Sequence, residues 1–527
     1  MTVHLRGLRL LRRRRPQSVA ITLVAGLIAL SAAGCNGSAK STGSGTGGTL
    51  TIGIARDLGS LNPAVDSGLS GGDGVVYLPY ATLVNRDPVS GALEPGLAQS
   101  YGYVGTGNTT YQLKLRPNLK FADGSPLDAD AVKTWFNYFP TAPGTTLGGF
   151  IQIASIDTPD DLTVRIHLKT PTPLVTEYLS SGWGMVVSPK AVANPSQISA
   201  GAPGAGPYVY EPSKTVTGTG ATYTLVPNKY FYDQSQIKWS KIVLKVISDP
   251  ATMLRSVQSG QIDVAEGSVT TLAAAKSAGL HTDTAPGGFA GVTIIDSNGT
   301  KVKALGDVRV RQALNYAIDR DAIAKSLFQG AVEPASAPVL SDVSDASLQN
   351  YYSYDPAKAK QLLAEAGYPN GFSFGIVAPT FGTLVGAPLM QAIAQNWADI
   401  GVTAKVVAPT TTTELYAKFL SQSAYMIDVT DVPVVTLGQG FLPSGVTNVY
   451  KVDYGKIVKL LDQAATAPQN QQAQLREEIL KEWVTQAYSV PIAATTNLIY
   501  WNDKVTGVKA SKFTLQAPAP WAWAPSS

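Results

Sequence analysis

Between Leu305 and Gly330 the chain reads LGDVRVRQALNYAIDRDAIAKSLFQG, and no other stretch limits the fold as much. Ala313, Leu314, Ala317 and Ile318 recur at helical spacing, while Arg309, Arg311, Asp319, Arg320 and Asp321 fall on the remaining faces. Such a stripe predicts one amphipathic helix, docked on a sheet by its apolar side, wet elsewhere, and stopped at Gly330.

How many such layers the chain builds follows from its size. With 527 residues, 44% of them hydrophobic, it exceeds what one core can hold, since single cores stop growing near about 250–300 residues. Two or more lobes are expected. The net charge of +4 misleads, because Arg6, Arg9, Arg12, Arg13, Arg14 and Arg15 all precede residue 35. The rest is close to neutral and offers no basic footprint for nucleic acid.

Residues 1–34 have the parts of an export signal: a basic start ending in RRRR, an apolar run from Val19 to Leu30, and the small-residue stretch SAAG. The run is shorter than the ~20 residues a membrane-spanning helix needs. Cys35 follows at once and is the only cysteine, so it has no partner for an internal disulfide. A lone cysteine there resembles the lipobox of bacterial lipoproteins, with Ala32 where a leucine is usual. Lipidation of Cys35 and anchoring on the outer face of the cytoplasmic membrane are the expectations that follow. General secretion and twin-arginine export both remain open. Residues 35–48, rich in Gly, Ser and Thr, read as a flexible tether, and the fold is expected to begin at Thr49 with the alternating TLTIGI.

Further along, Tyr111 to Leu115 alternates as a strand, Asp123 and Gly124 mark a turn, and Asp128 is a good cap for a helix from Ala129. The acidic trio Asp123, Asp128 and Asp130 therefore reads as turn and cap residues. Thr163 to Leu168 alternates as the second strand of a hairpin, and His167 within it reads as structural. A Gly-rich linker is expected near Gly287. Asp355, Pro356 and Gly367 supply the start and stop of another helix, Pro388 to Ile400 gives a further one, and VPIAATTNLIYWN runs back toward the first lobe.

Catalytic chemistry finds few candidates. His4, His167 and His281 with one cysteine have no zinc-ligand spacing, and no nucleophile elbow, P-loop or dinucleotide fingerprint stands in its strand-to-helix context. A carboxylate-only glycosidase is the enzyme alternative that composition leaves open. No cofactor is expected.

Several of these stretches resemble one family. DVRVRQALNYAIDRDAI is similar to the signature helix of the extracellular solute-binding proteins of peptide-type and nickel-type ABC importers. LVNRDPVSGALEPGLAQSY, YQLKLRPNLKFADGSPLDADAVKTWFNYF, APGAGPYVYEP and YDPAKAKQLLAEAGYPNGF follow in that family's order. The resemblance implies an α/β, two-lobed periplasmic-binding-protein type II fold with an extra subdomain inserted in the first lobe. Lobe I would comprise 49–79, 200–287 and 493–527, the inserted subdomain 80–199, and lobe II 288–492. It also implies a monomer that captures a peptide-like or other small polar solute and delivers it to an ABC transporter permease. A lipid-anchored sensor or adhesin would share the fold.

In peptide-binding relatives an acid of the second lobe holds the ligand's amino terminus. SAYMIDVTDVPVV aligns Asp428 with that acid and Asp431 with a second one, but it lacks the usual tryptophan. The loop APTFGTLVG lacks the arginine that would hold a ligand carboxylate. The candidate ligand-binding set is Asp428, Tyr425, Phe381, Thr380 and Trp183.

Overall fold

The computed structural model describes residues 47–526 except 56, 59–60, 65–76, 144–150, 173, 202, 217–219, 341–342, 344, 379–385, 410–417, 419–420, 431–438, 443–447, 468 and 512–521. At 286–287, 427–430 and 469–470 it describes backbone only. The expected export signal, Cys35, and the tether up to residue 46 lie outside the described residues.

The chain opens with β1 (Gly47–Ile54), two residues earlier than the alternation of TLTIGI predicts. Gly47 and Gly48 carry no side-chain signal, yet a strand needs only backbone groups, and the Gly47 amide donates to Lys238 O at 2.6 Å. A hairpin of β2 (Val84–Arg86) and β3 (Leu93–Pro95) leads into a separate antiparallel sheet. That sheet holds β4 (Ala98–Tyr103), β5 (Thr110–Leu115), β6 (Ile153–Asp160) and β7 (Thr163–Leu168), in the order β4-β5-β7-β6. Helices α1 (Ala129–Tyr138) and α2 (Val175–Tyr178) belong to the same unit. Asp128 accepts from the Ala131 amide at 2.9 Å, Asp123 from Ser125, and Asp130 from Thr158, so the acidic trio is structural.

The chain then returns with β8 (Tyr208–Tyr210), β9 (Thr222–Pro227), β10 (Trp239–Val246), β11 (Val264–Glu266) and the long β12 (His281–Ile294). Helices α3 (Val308–Tyr316), α4 (Arg320–Phe328) and α5 (Pro356–Glu365) follow. After them come β13 (Phe372–Val377), α6 (Gly386–Ala398), β14 (Val402–Val407) and β15 (Ala424–Thr430). The helical pair α7 (Gly455–Thr466) and α8 (Gln469–Thr485) precedes the second long strand, β16 (Ser489–Trp501). Two short strands, β17 (Val505–Thr506) and β18 (Ala524–Pro525), close the chain.

One ten-stranded sheet runs through the molecule in the order β14-β13-β15-β12-β16-β11-β1-β10-β9-β8. Its two halves form two lobes because each half is covered by its own apolar layer. Leu50, Ile52, Tyr208, Ile242 and Leu244 pack in lobe I, whereas Val292, Leu314, Phe374, Ile393 and Trp397 pack in lobe II. Only β12 and β16 are long enough to serve both. They pair antiparallel from His281↔Trp501 in lobe I to Thr293↔Ser489 in lobe II. Register shifts fall between Pro286 and Gly288 and between Ala290 and Gly291. The Gly-rich stretch expected to be a linker is therefore the middle of a 14-residue strand. Glycine fits there because a neighbouring backbone comes close: a Cβ on Gly291 would lie 2.5 Å from Val490 O.

The 305–330 stretch folds differently from the single wet helix its periodicity predicts. Asp319 leaves the helical path and caps a second helix by accepting from the Ala322 amide at 2.9 Å. Gln329, at φ 53°, ends that helix, and Gly330, at φ 74°, completes the turn by donating to Ala324 O. Arg311 and Arg320 are 3% and 6% exposed, so they are core residues. Among the described residues no helix is long and apolar enough to cross a membrane.

Candidate functional site

The strand directions in lobe II decide where a site can form. β13 runs parallel to β14 and to β15, so Val377, Val407 and Thr430 all end toward the same side of the sheet, with Val377 level with Tyr425. Ligands of open α/β sheets bind outside the carboxyl ends of the strands. β12 is antiparallel to β15 and reaches the same edge at Gly288, which faces Thr430 on one side and Thr495 of β16 on the other. The three strands therefore exit toward the same side of the sheet, β13 and β14 at the level of Tyr425 and β15 five residues further on, at the Gly288↔Thr430 pair.

Asp428 sits here by backbone register, opposite Ala290, two residues inside the Gly288↔Thr430 pair. Thr380, Phe381 and Asp431 lie outside the described residues. Tyr425 is deeper in the strand, facing Thr293 on one neighbour and Val377 on the other. It packs against the aromatic cluster that the helical pair shares with the four-stranded unit. Burial pushes its hydroxyl up to about 12, opposed by the Thr293 hydroxyl, so at neutral pH it is an uncharged hydrogen-bonding group.

Trp183 stands elsewhere. It is 0% exposed, its ring lies 4.2 Å from Phe139, and its carbonyl accepts from Trp135 Nε1 at 3.0 Å. In this conformation it offers no face to a ligand and acts as a packing residue of the four-stranded unit. A Trp inside a loop-like SGWG string carries no periodicity that would have shown its burial.

Beside the edge lies a small apolar recess, lined by Ala290, Met426, Phe328, Leu389, Ala493 and Thr496 among others. It is bounded by β12, β15, β16, α4 and α6. Among the described residues, no titratable side chain lines it. No cluster of three or more His, Cys, Asp or Glu residues able to hold a metal exists among the described residues. His167 pairs with Asp157 and His281 with Asp503, both at 2.8 Å, which accounts for each as a structural contact.

What positions this edge is a set of residues that pattern reading misses. Arg320 Nε donates to Pro491 O of β16 at 2.8 Å and to Ala335 O at 3.2 Å. Its other nitrogens reach Asn315 O, Tyr352 O and Asn315 Oδ1. Desolvation pulls the guanidinium down to about 9, still well above neutral pH, so it remains a cation held by neutral oxygens. Arg311 likewise donates to Gln486 O, Ser297 O and Leu305 O. Asp296, 0% exposed, accepts from the amides of Lys301 and Val302 and from Ser423 Oγ next to β15. Together these fix both long-strand ends and the start of β15 to one corner. The signal in the sequence was the two arginines on an otherwise apolar helix, and periodicity assigns such residues to water.

Comparison with known proteins places the chain in one family. Residues 92–440 fit the family described as bacterial extracellular solute-binding proteins, family 5 Middle. A glutathione-binding protein, GsiB, of Pectobacterium atrosepticum is 30% identical over 328 residues, 59% of this chain and 60% of that protein. The chain thus matches about three fifths of the length of its glutathione-binding relatives. A putative ABC transporter peptide-binding protein of Brucella ovis is 26% identical over 504 residues, covering 86% of this chain and 90% of the relative. Among solved structures, the binding protein AgaA from A. tumefaciens R10, in complex with agropinic acid, superposes with a TM-score of 0.76 at 22% identity, over 91% of this chain and 99% of that one.

Proposed function

The chain belongs to the bacterial extracellular solute-binding proteins of family 5, binding proteins rather than enzymes, and from that premise we propose that it captures a peptide-like or other small polar solute between its lobes and delivers it to an ABC transporter permease. The observation that supports this reading is that β13, β14 and β15 all exit toward one side of the sheet, with β15 ending between Gly288 of β12 and its β16 neighbour Thr495 at the join of the two long strands. A solute at that edge touches the strands that join the lobes. Its binding free energy can then offset the cost of drawing the lobes together. Cys35 is the lipid attachment point in this reading, and Cys35→Ser releases the protein from the membrane fraction.

The ligand class follows from what surrounds the edge. In this reading Asp428, which register sets opposite Ala290, supplies a negative charge to the site, beside a recess with apolar walls and the hydroxyls of Thr495 and Thr496. An amine-bearing solute suits such a site better than an anionic one. Glutathione, which the relatives' name gives as their ligand, carries an ammonium that suits Asp428 but is a net anion through its two carboxylates, so it fits this class by its amine end alone.

Native mass spectrometry of the purified protein identifies the co-purifying solute, and small-angle scattering with that solute shows a more compact particle. An unchanged profile at saturation sinks the closure. Asp428→Asn weakens calorimetric affinity for the solute by roughly 1.5–3 kcal/mol, about tenfold to a hundredfold. Wild-type affinity in that variant removes Asp428 from the site.

A further inference from the structure

The recess beside the edge holds one group that its apolar walls do not explain. Thr495 of β16 lines it and is 5% exposed, and its hydroxyl oxygen is covered yet has no hydrogen-bond partner among the described residues. Buried hydroxyls nearly always find a partner, because an unpaired one forfeits its bonds to water for nothing in return. The surrounding side chains of Ala290, Phe328, Leu389, Met426 and Ala493 offer no strong donor or acceptor. The space they enclose is small, with room for about one water-sized group. An unpaired hydroxyl facing space of that size selects a group that is small and carries a polar atom of its own.

Register fixes where this space lies. Ala290 faces Ala493 across β12 and β16, and on its other side it faces Asp428 of β15. Neighbouring strands stand about 4.8 Å apart, so the recess begins one strand away from position 428. Met426, which shares a face of β15 with that position by alternation, also lines it. In a peptide the terminal ammonium and the first side chain leave the same carbon. A peptide whose amino terminus is held at Asp428 therefore has its first side chain within reach of the recess, and its later ones further off. Val269, in the turn after β11, adds a wall from lobe I, so both lobes enclose the space.

We propose that the recess is the subsite for the first side chain of a captured peptide, that it favours serine, and that the Thr495 hydroxyl is the group that recognises it. The proposal rests on the reading of Asp428 as the acid that holds the amino terminus. Serine brings one methylene to the apolar walls and one hydroxyl to exchange a hydrogen bond with Thr495. Alanine occupies the space but leaves Thr495 unpaired. Leucine is too large, because Phe328, Leu389 and Met426 are buried in the lobe II core and give way only at a cost. Glycine brings nothing to the recess and reads the amine site alone. Since Val269 travels with lobe I, the lobe movement that admits a solute also uncovers the recess.

The test is calorimetry of the purified protein with the tripeptides Ser-Ala-Ala, Ala-Ala-Ala, Gly-Ala-Ala and Leu-Ala-Ala. Wild type binds the serine peptide roughly three- to tenfold tighter than the alanine peptide, the range of one neutral hydrogen bond. The leucine peptide binds roughly tenfold or more weaker than the alanine one. Thr495→Val keeps the shape without the hydroxyl, and in it the serine peptide falls to the level of the alanine peptide. Ala493→Leu fills the recess, and in it the serine and alanine peptides fall to the level of the glycine peptide. Equal affinity for the serine and alanine peptides in wild type, or a serine preference that survives Thr495→Val, overturns the subsite and leaves peptide capture standing. Binding of none of the four by wild type overturns both. Should either variant fail to fold, the wild-type series decides alone.

Discussion

The four-stranded unit and the α3–α4 corner of lobe II are both dense and both essential to where the site lies, yet they are held by opposite means. In the unit, Trp135, Phe136, Phe139 and Trp183 stack in a dry cluster, and its polar residues cap turns at the surface. In the corner, two guanidinium groups and one carboxylate are buried and satisfied by backbone groups from four or more chain segments. Aromatic packing is non-directional and tolerates small shifts. A buried cation bonded to named carbonyls fixes β16, the 335–352 segment and α3 in one relative position, which is what a strand serving two lobes requires.

The largest effect should come from the dry side of that comparison. Trp183→Ala removes a fully buried ring and should cost about 3–5 kcal/mol in urea unfolding followed by circular dichroism. A loss below about 0.5 kcal/mol, the range of surface substitutions, would mean that the ring is available for something other than packing.

Arg320→Met tests the buried polar side. It keeps volume but leaves the oxygens of Pro491, Ala335, Tyr352 and Asn315 without their cation, and about 2–3 kcal/mol should be lost. Buried ionic groups are sometimes replaced by apolar ones at no cost. A neutral or stabilised variant would therefore show that Arg320 serves the position of β16 rather than stability. Hydrogen exchange across Ser489–Trp501 in that variant then reads the positional role directly.

The smallest effect concerns pH at the start of the same corner. The Asp307 carboxyl lies below the usual aspartate range because Arg309 bonds it, at 2.6 Å from one guanidinium nitrogen, and burial opposes this only in part. Its folded-state pKa is depressed, so below about pH 4 the unfolded chain binds more protons than the folded one, and stability falls as pH falls. Asp307→Asn keeps a capping side chain but removes the titration. The acid limb of the stability profile should become shallower, with little change at pH 7. An unchanged limb would place the acid sensitivity at other carboxylates.

Much of the fold was legible because it rests on local rules. Alternation at Thr163–Leu168, caps at Asp128 and Asp355, and the stop near Gly367 each depend on residues a few positions apart. The candidate edge was legible only in part: register brings Asp428 to Ala290 and Gly288, but nothing short of pairing could show that Trp183 faces inward, far along the chain from its own use. The break of one apparent helix at Asp319 was also written in the sequence, as a capping residue, but the helical stripe on both sides of it outweighed that signal.

By itself the sequence determined an α/β chain too long for one core, its order of strands and helices, and the family those blocks resemble. Tertiary structure alone decided that a glycine-rich stretch is the centre of a strand shared by two lobes. It alone decided that Arg311 and Arg320 lie in the core, because their carbonyl partners come from residues as distant as 175 and 171 positions along the chain. Local patterns report what a residue prefers when its neighbours in sequence are its surroundings. A buried guanidinium is stable only when remote backbone oxygens converge on it, and that convergence exists only once the chain has folded.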